Sequence, residues 1–228
     1  TDLAKKELVE RVNINEKKVV VFSNSVSKSF YTDPFFDDVI IKKYSDSFVL
    51  LYLGNTSKRR GLETVLKSIP EIIKSISNFK LVVVGTSSYD KELVQLAKVY
   101  NISKYIDFEG WKSEDVFPSY IKAANLAISP LHSNLHHDTT YANKLFQYMS
   151  LGCPLICSDV EAQQLLLETY NVGLLFKAEN PIDLVNKINK LYMDEALRKK
   201  MSKNCIDAIH NHLNNDIISR SLVEHYDK

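Results

Sequence analysis

The chain has 228 residues, 45% of them hydrophobic and 25% charged, which is enough apolar content to bury the core of an ordinary globular domain. Its formal net charge of +1 gives no overall attraction to nucleic acid or anionic membrane, so any anion-binding role has to come from a local cluster. The longest uninterrupted apolar run, residues 48–53, falls far short of the roughly 20 residues that span a bilayer.

Leu3, Leu8, Val9 and Val12 mark a first amphipathic helix that lacks the apolar centre of a secretion signal. The chain starts without Met and is read as an excised or processed piece. A short apolar strand is predicted over 19–22, followed by a polar turn at Ser23, Asn24 and Ser25. Residues 26–46 contain Pro34, the paired aromatics Phe35 and Phe36, and a short helical pattern, and read as a linker wrapping the domain surface.

From Phe48 onward short apolar runs alternate with amphipathic segments. Strands are predicted over 48–53, 80–84, 106–108, 126–129, 154–157 and 173–176. Helices are predicted between them over 62–77, interrupted or kinked at Pro70, and over 91–100, 116–123, 143–151 and 161–168. Closing helices follow over 182–192 and 195–212. This rhythm predicts an α/β fold, a Rossmann-like parallel sheet with helices on both faces. Cys153, Cys157 and Cys205 are an odd count without metal-type spacing, and read as small core hydrophobes in a reducing compartment.

In such a sheet ligands collect beyond the carboxyl ends of the strands, which directs attention to the loops there. After the first strand, GNTSKRRGL sets Lys58, Arg59 and Arg60 just before a glycine and a helix start. A cation there opposes the helix dipole, at a cost of roughly 0.3 kcal/mol or more, unless an anion lies between them. Lys144 repeats the anomaly beside Asn143 in the first turn of the helix over 143–151. Either feature alone reads equally well as solvated surface; both on one sheet edge favour a phosphate or diphosphate site.

Three further loops carry weaker signals. GTSSYD, residues 85–90, suits close approach of a ligand to the backbone, and ordinary turn chemistry explains it as well. EGWKS, residues 109–113, holds the single tryptophan after a glycine, either as a ligand wall or as a surface aromatic. PLHSNLHHDTT, residues 130–140, carries His132, His136 and His137, but beyond Asp138 no cysteine or carboxylate completes a coordination set, so no metal is assigned.

The stretch TTYANKLFQYMSLGCPLICSD, residues 139–159, resembles the donor-binding helix and following strand of retaining nucleotide-sugar glycosyltransferases of the group 1 type, which have the two-domain GT-B fold. The resemblance spans about residues 17–203 and covers only the carboxy-terminal half of such an enzyme. It implies that 1–47 are the end of an amino-terminal domain and its linker, 48–194 the nucleotide-sugar-binding domain, and 195–228 a carboxy-terminal helix and tail. It also implies a donor diphosphate site formed by Asn55, Arg59, Arg60, Asn143 and Lys144, with Gln147 on the ribose. Gly110, Trp111 and Lys112 would form the nucleobase wall, and His137, Thr139 and Thr140 would lie near the donor sugar. The chain departs from the family pattern in several places. Asn55 and Arg60 stand where the family has Arg and Lys, Thr139 and Gln147 stand where it has two Glu eight residues apart, and Ser25 replaces a linker glycine.

The implied function is transfer of a sugar from a nucleoside diphosphate donor, expected to be UDP-linked, to a polysaccharide or other glycan, with retention and without metal or other cofactor. The acceptor, a glycan or lipid-linked one, and the catalytic residues are assigned to the missing amino-terminal domain, so this chain alone is not expected to turn over. The expected setting is cytoplasmic, peripheral to the inner face of the membrane, with no nucleic-acid partner and no membrane span. Two alternatives stay open. One is a degenerate domain that binds a nucleotide or partner without chemistry, which Asn55, Thr139 and Gln147 favour. The other is a sugar-nucleotide epimerase, whose acid-base groups would have to come from residues 132–138.

Overall fold

The computed structural model describes residues 1–226. Strand β1, Phe48–Leu53, is buried along its whole length. Its side chains divide by the two-residue period of a strand, with Phe48, Leu50 and Tyr52 in one hydrophobic layer and Val49, Leu51 and Leu53 in the other. Strands β2 (Phe79–Val84), β3 (Ile106–Gly110), β4 (Leu126–Ser129), β5 (Leu155–Ser158) and β6 (Gly173–Phe176) complete a parallel six-stranded sheet of order β3-β2-β1-β4-β5-β6. The order reverses between β1 and β4, and a crevice opens beyond the carboxyl ends of strands at such a point.

The helices are α1 (Asp2–Val12), α2 (Ser29–Thr32), α3 (Asp38–Lys43), α4 (Leu62–Ser75), α5 (Asp90–Val99) and α6 (Phe117–Ala123). They continue with α7 (Leu135–Thr139), α8 (Asn143–Ser150), α9 (Glu161–Tyr170), α10 (Pro181–Met193), α11 (Glu195–Ala208) and α12 (Asn215–Tyr226). One layer is filled by Leu62, Leu66 and Ile69 of α4 with Leu184 and Ile188 of α10. The opposite layer takes Tyr120 of α6, Phe146 and Met149 of α8, Leu166 of α9 and Cys205 of α11. Each fully buried side chain of this size contributes about 1.5–3 kcal/mol, so both layers hold the sheet and helices lie on both faces, as the alternating pattern predicts. Cys153, Cys157 and Cys205 are buried free thiols.

Several expectations are corrected. Residues 19–22 form no strand: they are partly exposed and no member of the sheet pairs with them, so a short apolar run without a neighbouring ladder stays irregular. Helix α4 is not interrupted at Pro70, which lies inside it, because its packed apolar face outweighs the lost backbone hydrogen bond. The helix expected over 195–212 ends at Ala208 and passes into a π-turn, Ile209–Leu213. There the Asn214 side-chain amide donates to the carbonyls of Ile209 and His210, and its oxygen accepts from the Ile217 N–H, starting α12. The histidine loop contains the short helix α7, capped by the Asn134 side chain, which accepts from the His137 N–H.

Candidate functional site

The loop leaving β1 is shaped by two glycines. Gly61 has φ 77°, and a Cβ there would lie 1.6 Å from the Pro130 carbonyl oxygen, so only glycine lets the β1 loop rest on the loop after β4. A Cβ on Gly85 would lie 1.9 Å from the Gly54 carbonyl oxygen, which joins the β2 loop to the same place. Thr56 adds to this seam: its hydroxyl donates to the Asp90 carboxylate and lies 2.9 Å from Ser87 Oγ, from which it can accept. The Thr86 hydroxyl donates to the same Asp90 carboxylate and the Tyr89 hydroxyl to Glu63 of α4, so these groups are engaged within the protein.

Helix α8 approaches from the other side of the strand-order reversal. Its Tyr148 hydroxyl accepts from the Leu53 N–H at 2.6 Å, which fixes the helix to the end of β1. Its N-cap is Ala142, which offers no side-chain hydrogen bond, so the first-turn N–H groups have no side-chain cap. Between the two loops lies a cavity of about 220 Å³, lined by Tyr52, Leu53, Gly54, Asn55 and Arg60 on one side and by Phe117, Ala142, Asn143, Lys144 and Gln147 on the other.

Two cations meet at this cavity without a carboxylate between them. Lys144 is only 8% exposed, and its Nζ lies 3.8 Å from the centroid of the Tyr52 ring. Burial, reinforced by Arg60, brings its pKa down to about 7. The reading of Lys144 as solvated surface is thereby excluded. Arg60 is half-buried, its Nε is buried without a hydrogen-bond partner, and burial lowers its pKa. Like charges concentrated beside an uncapped helix start are unfavourable until an anion arrives.

The remaining predicted residues fall in different places. Asn55 lines the cavity, but its side chain is spent on the loop itself: Oδ1 accepts from the Ser57 N–H at 3.0 Å and Nδ2 donates to the Thr86 carbonyl at 3.4 Å. Arg59 is exposed, with Nη1 3.5 Å from His137 Nε2. A second cavity of about 240 Å³ shares Arg60, Ala142 and Asn143 with the first and is also lined by His136, His137 and Thr140. His137 is buried, and its Nδ1 lies 2.7 Å from the His132 carbonyl. Burial, partly offset by that contact, holds its pKa below the usual range. Thr139 turns back onto α7, donating to the Leu135 carbonyl at 2.7 Å. Gly110, Trp111 and Lys112 line neither cavity; Trp111 is 74% exposed and Lys112 pairs with Glu109 at 3.7 Å.

Residues 35–207 match the family of glycosyl transferases group 1. The chain belongs to that family. Among curated relatives, an uncharacterized glycosyltransferase of Methanocaldococcus jannaschii is 27% identical over 180 residues, covering 78% of this chain and 44% of the relative. The lipopolysaccharide core biosynthesis glycosyltransferase LpsD of Rhizobium meliloti is 22% identical over 185 residues, covering 81% of this chain and 50% of the relative. The chain therefore spans about half the length of these relatives. In fold it is similar to Anabaena HepE, solved in complex with UDP, with a TM-score of 0.86 at 15% identity over all of this chain and 62% of HepE. That likeness identifies the architecture as a Rossmann-like α/β fold of the kind found in GT-B glycosyltransferases.

Sequence reasoning missed several residues in and around the candidate site. Tyr52 alternates inward on a buried strand and was indistinguishable from core. Phe117 starts a helix and has no motif. Glu114 stands 33 positions from Gln147 yet its carboxylate accepts from the Gln147 side-chain amide at 2.7 Å. Glu109 carries a network behind the tryptophan turn, accepting from the Tyr44 and Tyr120 hydroxyls at 2.8 Å each and from Lys43. Only the spatial neighbourhood reveals these four. Among the described residues no group of three or more His, Cys, Asp and Glu is arranged to hold a metal ion.

Proposed function

We propose that this chain is the donor-binding half of a glycosyltransferase and holds a nucleoside diphosphate sugar by its diphosphate. The observation that carries the reading is the pair Arg60 and Lys144, two desolvated cations without carboxylate partners on one cavity at the uncapped start of α8. In this reading Asn143 and Lys144 bring the helix N–H groups and one charge to the diphosphate, and Arg60 brings a second charge in bidentate geometry. Arg59 is the outer cation, steadied by His137. Charge that develops on the departing diphosphate is stabilised by groups already oriented toward it.

Gln147, four residues along the same helix face, takes the ribose, and the second cavity with His137 and Thr140 takes the sugar. The nucleobase extends toward the β3 loop with Gly110, Trp111 and Lys112. The UDP bound to HepE supports a uridine nucleotide as the donor carrier. The biosynthetic role of LpsD supports a polysaccharide or other cell-envelope glycan as product. The acceptor site and the residues that complete catalysis belong to a further domain, with residues 1–47 as its end and linker and 195–228 as a closing helix and tail. The buried free thiols are in keeping with a cytoplasmic setting, near the inner membrane face where envelope glycans are assembled. Among the described residues no helix is long and apolar enough to cross a membrane.

A non-catalytic nucleotide-binding domain is the second reading, favoured by Asn55, whose side chain is consumed within its own loop. Assay of the full-length protein for donor hydrolysis, sugar transfer and epimerisation separates the two. Transfer or slow donor hydrolysis supports the enzyme, whereas binding of UDP with no turnover of any candidate UDP-sugar leaves the non-catalytic domain.

A further inference from the structure

The second cavity adjoins the first at Arg60 and Asn143, and among the described residues no aspartate or glutamate lines it. A carboxylate is the strongest acceptor that a side chain offers to a sugar hydroxyl, so this wall is poorly built for a sugar that carries hydroxyls alone. Asp138, on α7, does not line it, and Ser133 donates to its carboxylate at 2.8 Å. What the wall offers instead is positive charge. Arg60 lies on both cavities with its Nε buried and unpartnered, and a guanidinium has more donors than one anion uses.

Arg59 is held at the rim of the same cavity by His137. A guanidinium only donates, so its approach to His137 Nε2 at 3.5 Å assigns the ring proton to Nδ1, which then donates to the His132 carbonyl at 2.7 Å. In that tautomer the buried imidazole is neutral, in keeping with its lowered pKa. The backbone fixes Arg59 as well, since its carbonyl accepts from the His132 N–H at 3.2 Å. Two guanidiniums, one in the wall and one at the rim, therefore serve a cavity that contains no negative side chain.

We propose that the second cavity receives a carboxylate carried by the donor sugar, so that the donor is a nucleoside diphosphate linked to a uronic acid. The proposal rests on the diphosphate reading above and names the sugar class taken by that same site. Arg59 is the specificity-determining residue. A carboxylate beside it forms a charge-assisted, bidentate pair, whereas the primary hydroxyl of a neutral hexose at the same place makes only a neutral bond.

The test is calorimetric titration of the 228-residue chain with UDP-glucuronate against UDP-glucose and UDP-galacturonate against UDP-galactose, with UDP and inorganic pyrophosphate as references. The parent chain is expected to bind at least one uronate at least about tenfold more tightly than its neutral counterpart, the scale of one charge-assisted hydrogen bond. Arg59→Gln brings that ratio to near one. His136→Asp, which puts a carboxylate on an exposed position of the wall, lowers it as well through like-charge repulsion. Each ratio compares two ligands with the same nucleoside diphosphate, so a general loss of binding or of stability does not move it. Parent ratios near one in both pairs, or a ratio unmoved in either variant, overturn the uronic acid assignment while UDP and pyrophosphate still bind. Failure of UDP and pyrophosphate alike to bind the parent chain overturns the diphosphate reading itself, a different signature.

Discussion

The Lys144 ammonium sits 3.8 Å from the centroid of the Tyr52 ring, on a lysine that is only 8% exposed. The ring face replaces part of the lost hydration, on the order of 2 kcal/mol at a desolvated site, and burial with Arg60 nearby still brings the pKa down to about 7. A diphosphate in the cavity would raise it again, so binding above about pH 7 takes up a proton. Diphosphate affinity is therefore expected to fall with rising pH above about 7, by at most about tenfold per pH unit, until the raised pKa of the complex is reached. The terminal phosphate of UDP is mostly ionised there, since a phosphate's second pKa is about 6. Calorimetry in two buffers of unequal ionisation enthalpy checks this; affinity flat with pH and no proton uptake would count against it.

The same lysine makes a stability prediction. Its folded pKa of about 7 lies below the reference value of 10.5, so the unfolded chain holds the proton more tightly between those values. Ligand-free stability accordingly rises with pH across that window, and the full penalty applies below about pH 7. Lys144→Met keeps the buried stem and removes the charge. It is expected to raise the ligand-free melting temperature near neutral pH by at least about 2 °C and to weaken diphosphate binding by about 1–3 kcal/mol. Arg60→Ala should weaken binding by a similar amount. Scanning calorimetry showing lower stability with unaltered binding would make both residues structural.

Gly61→Ala is expected to cost more than about 1–2 kcal/mol, the penalty of a left-handed conformation for an L side chain, because the new Cβ also meets the Pro130 carbonyl. Arg60 precedes this residue and the second cavity adjoins it, so diphosphate affinity should fall together with stability. Urea unfolding and a parallel titration measure the two effects; a neutral substitution would mean that the contact between the two loops is dispensable.

Burial alone would raise the Glu109 pKa, but hydrogen bonds from Lys43, Tyr44 and Tyr120 and the Lys43 charge hold it at about 2. A depressed carboxylate contributes stability that is present above its unfolded pKa and lost as pH falls toward the folded one, here from about 4.5 to about 2. Glu109→Gln should cost about 1.5–3 kcal/mol near neutral pH and flatten the acid transition in that window. The fluorescence of Trp111, two residues away, reports it; an unchanged acid transition would dissociate Glu109 from the anchoring of α3 and α6.

The sheet was legible because strand burial writes itself as apolar runs: three strands, among them Phe48–Leu53, begin and end where the pattern predicts. Arg60 and Lys144 were legible because cations at helix starts contradict the dipole. What stayed hidden depends on contacts distant in sequence. Nothing local to Tyr52 says that a lysine will cover its ring, nothing near Glu114 names Gln147, and the run at 19–22 gives no sign that it lacks a strand partner. The Asn55 side chain, spent on its own loop, is a matter of direction rather than residue type.

The central claim, a diphosphate held by Arg60 and Lys144, is tested most directly by titrating the ligand-free chain with UDP, pyrophosphate and uridine under one set of conditions. UDP is expected to bind at least about tenfold more tightly than uridine, with pyrophosphate competing for the same site and the advantage lost in Lys144→Met. Equal affinity for UDP and uridine, with no competition from pyrophosphate, would contradict it.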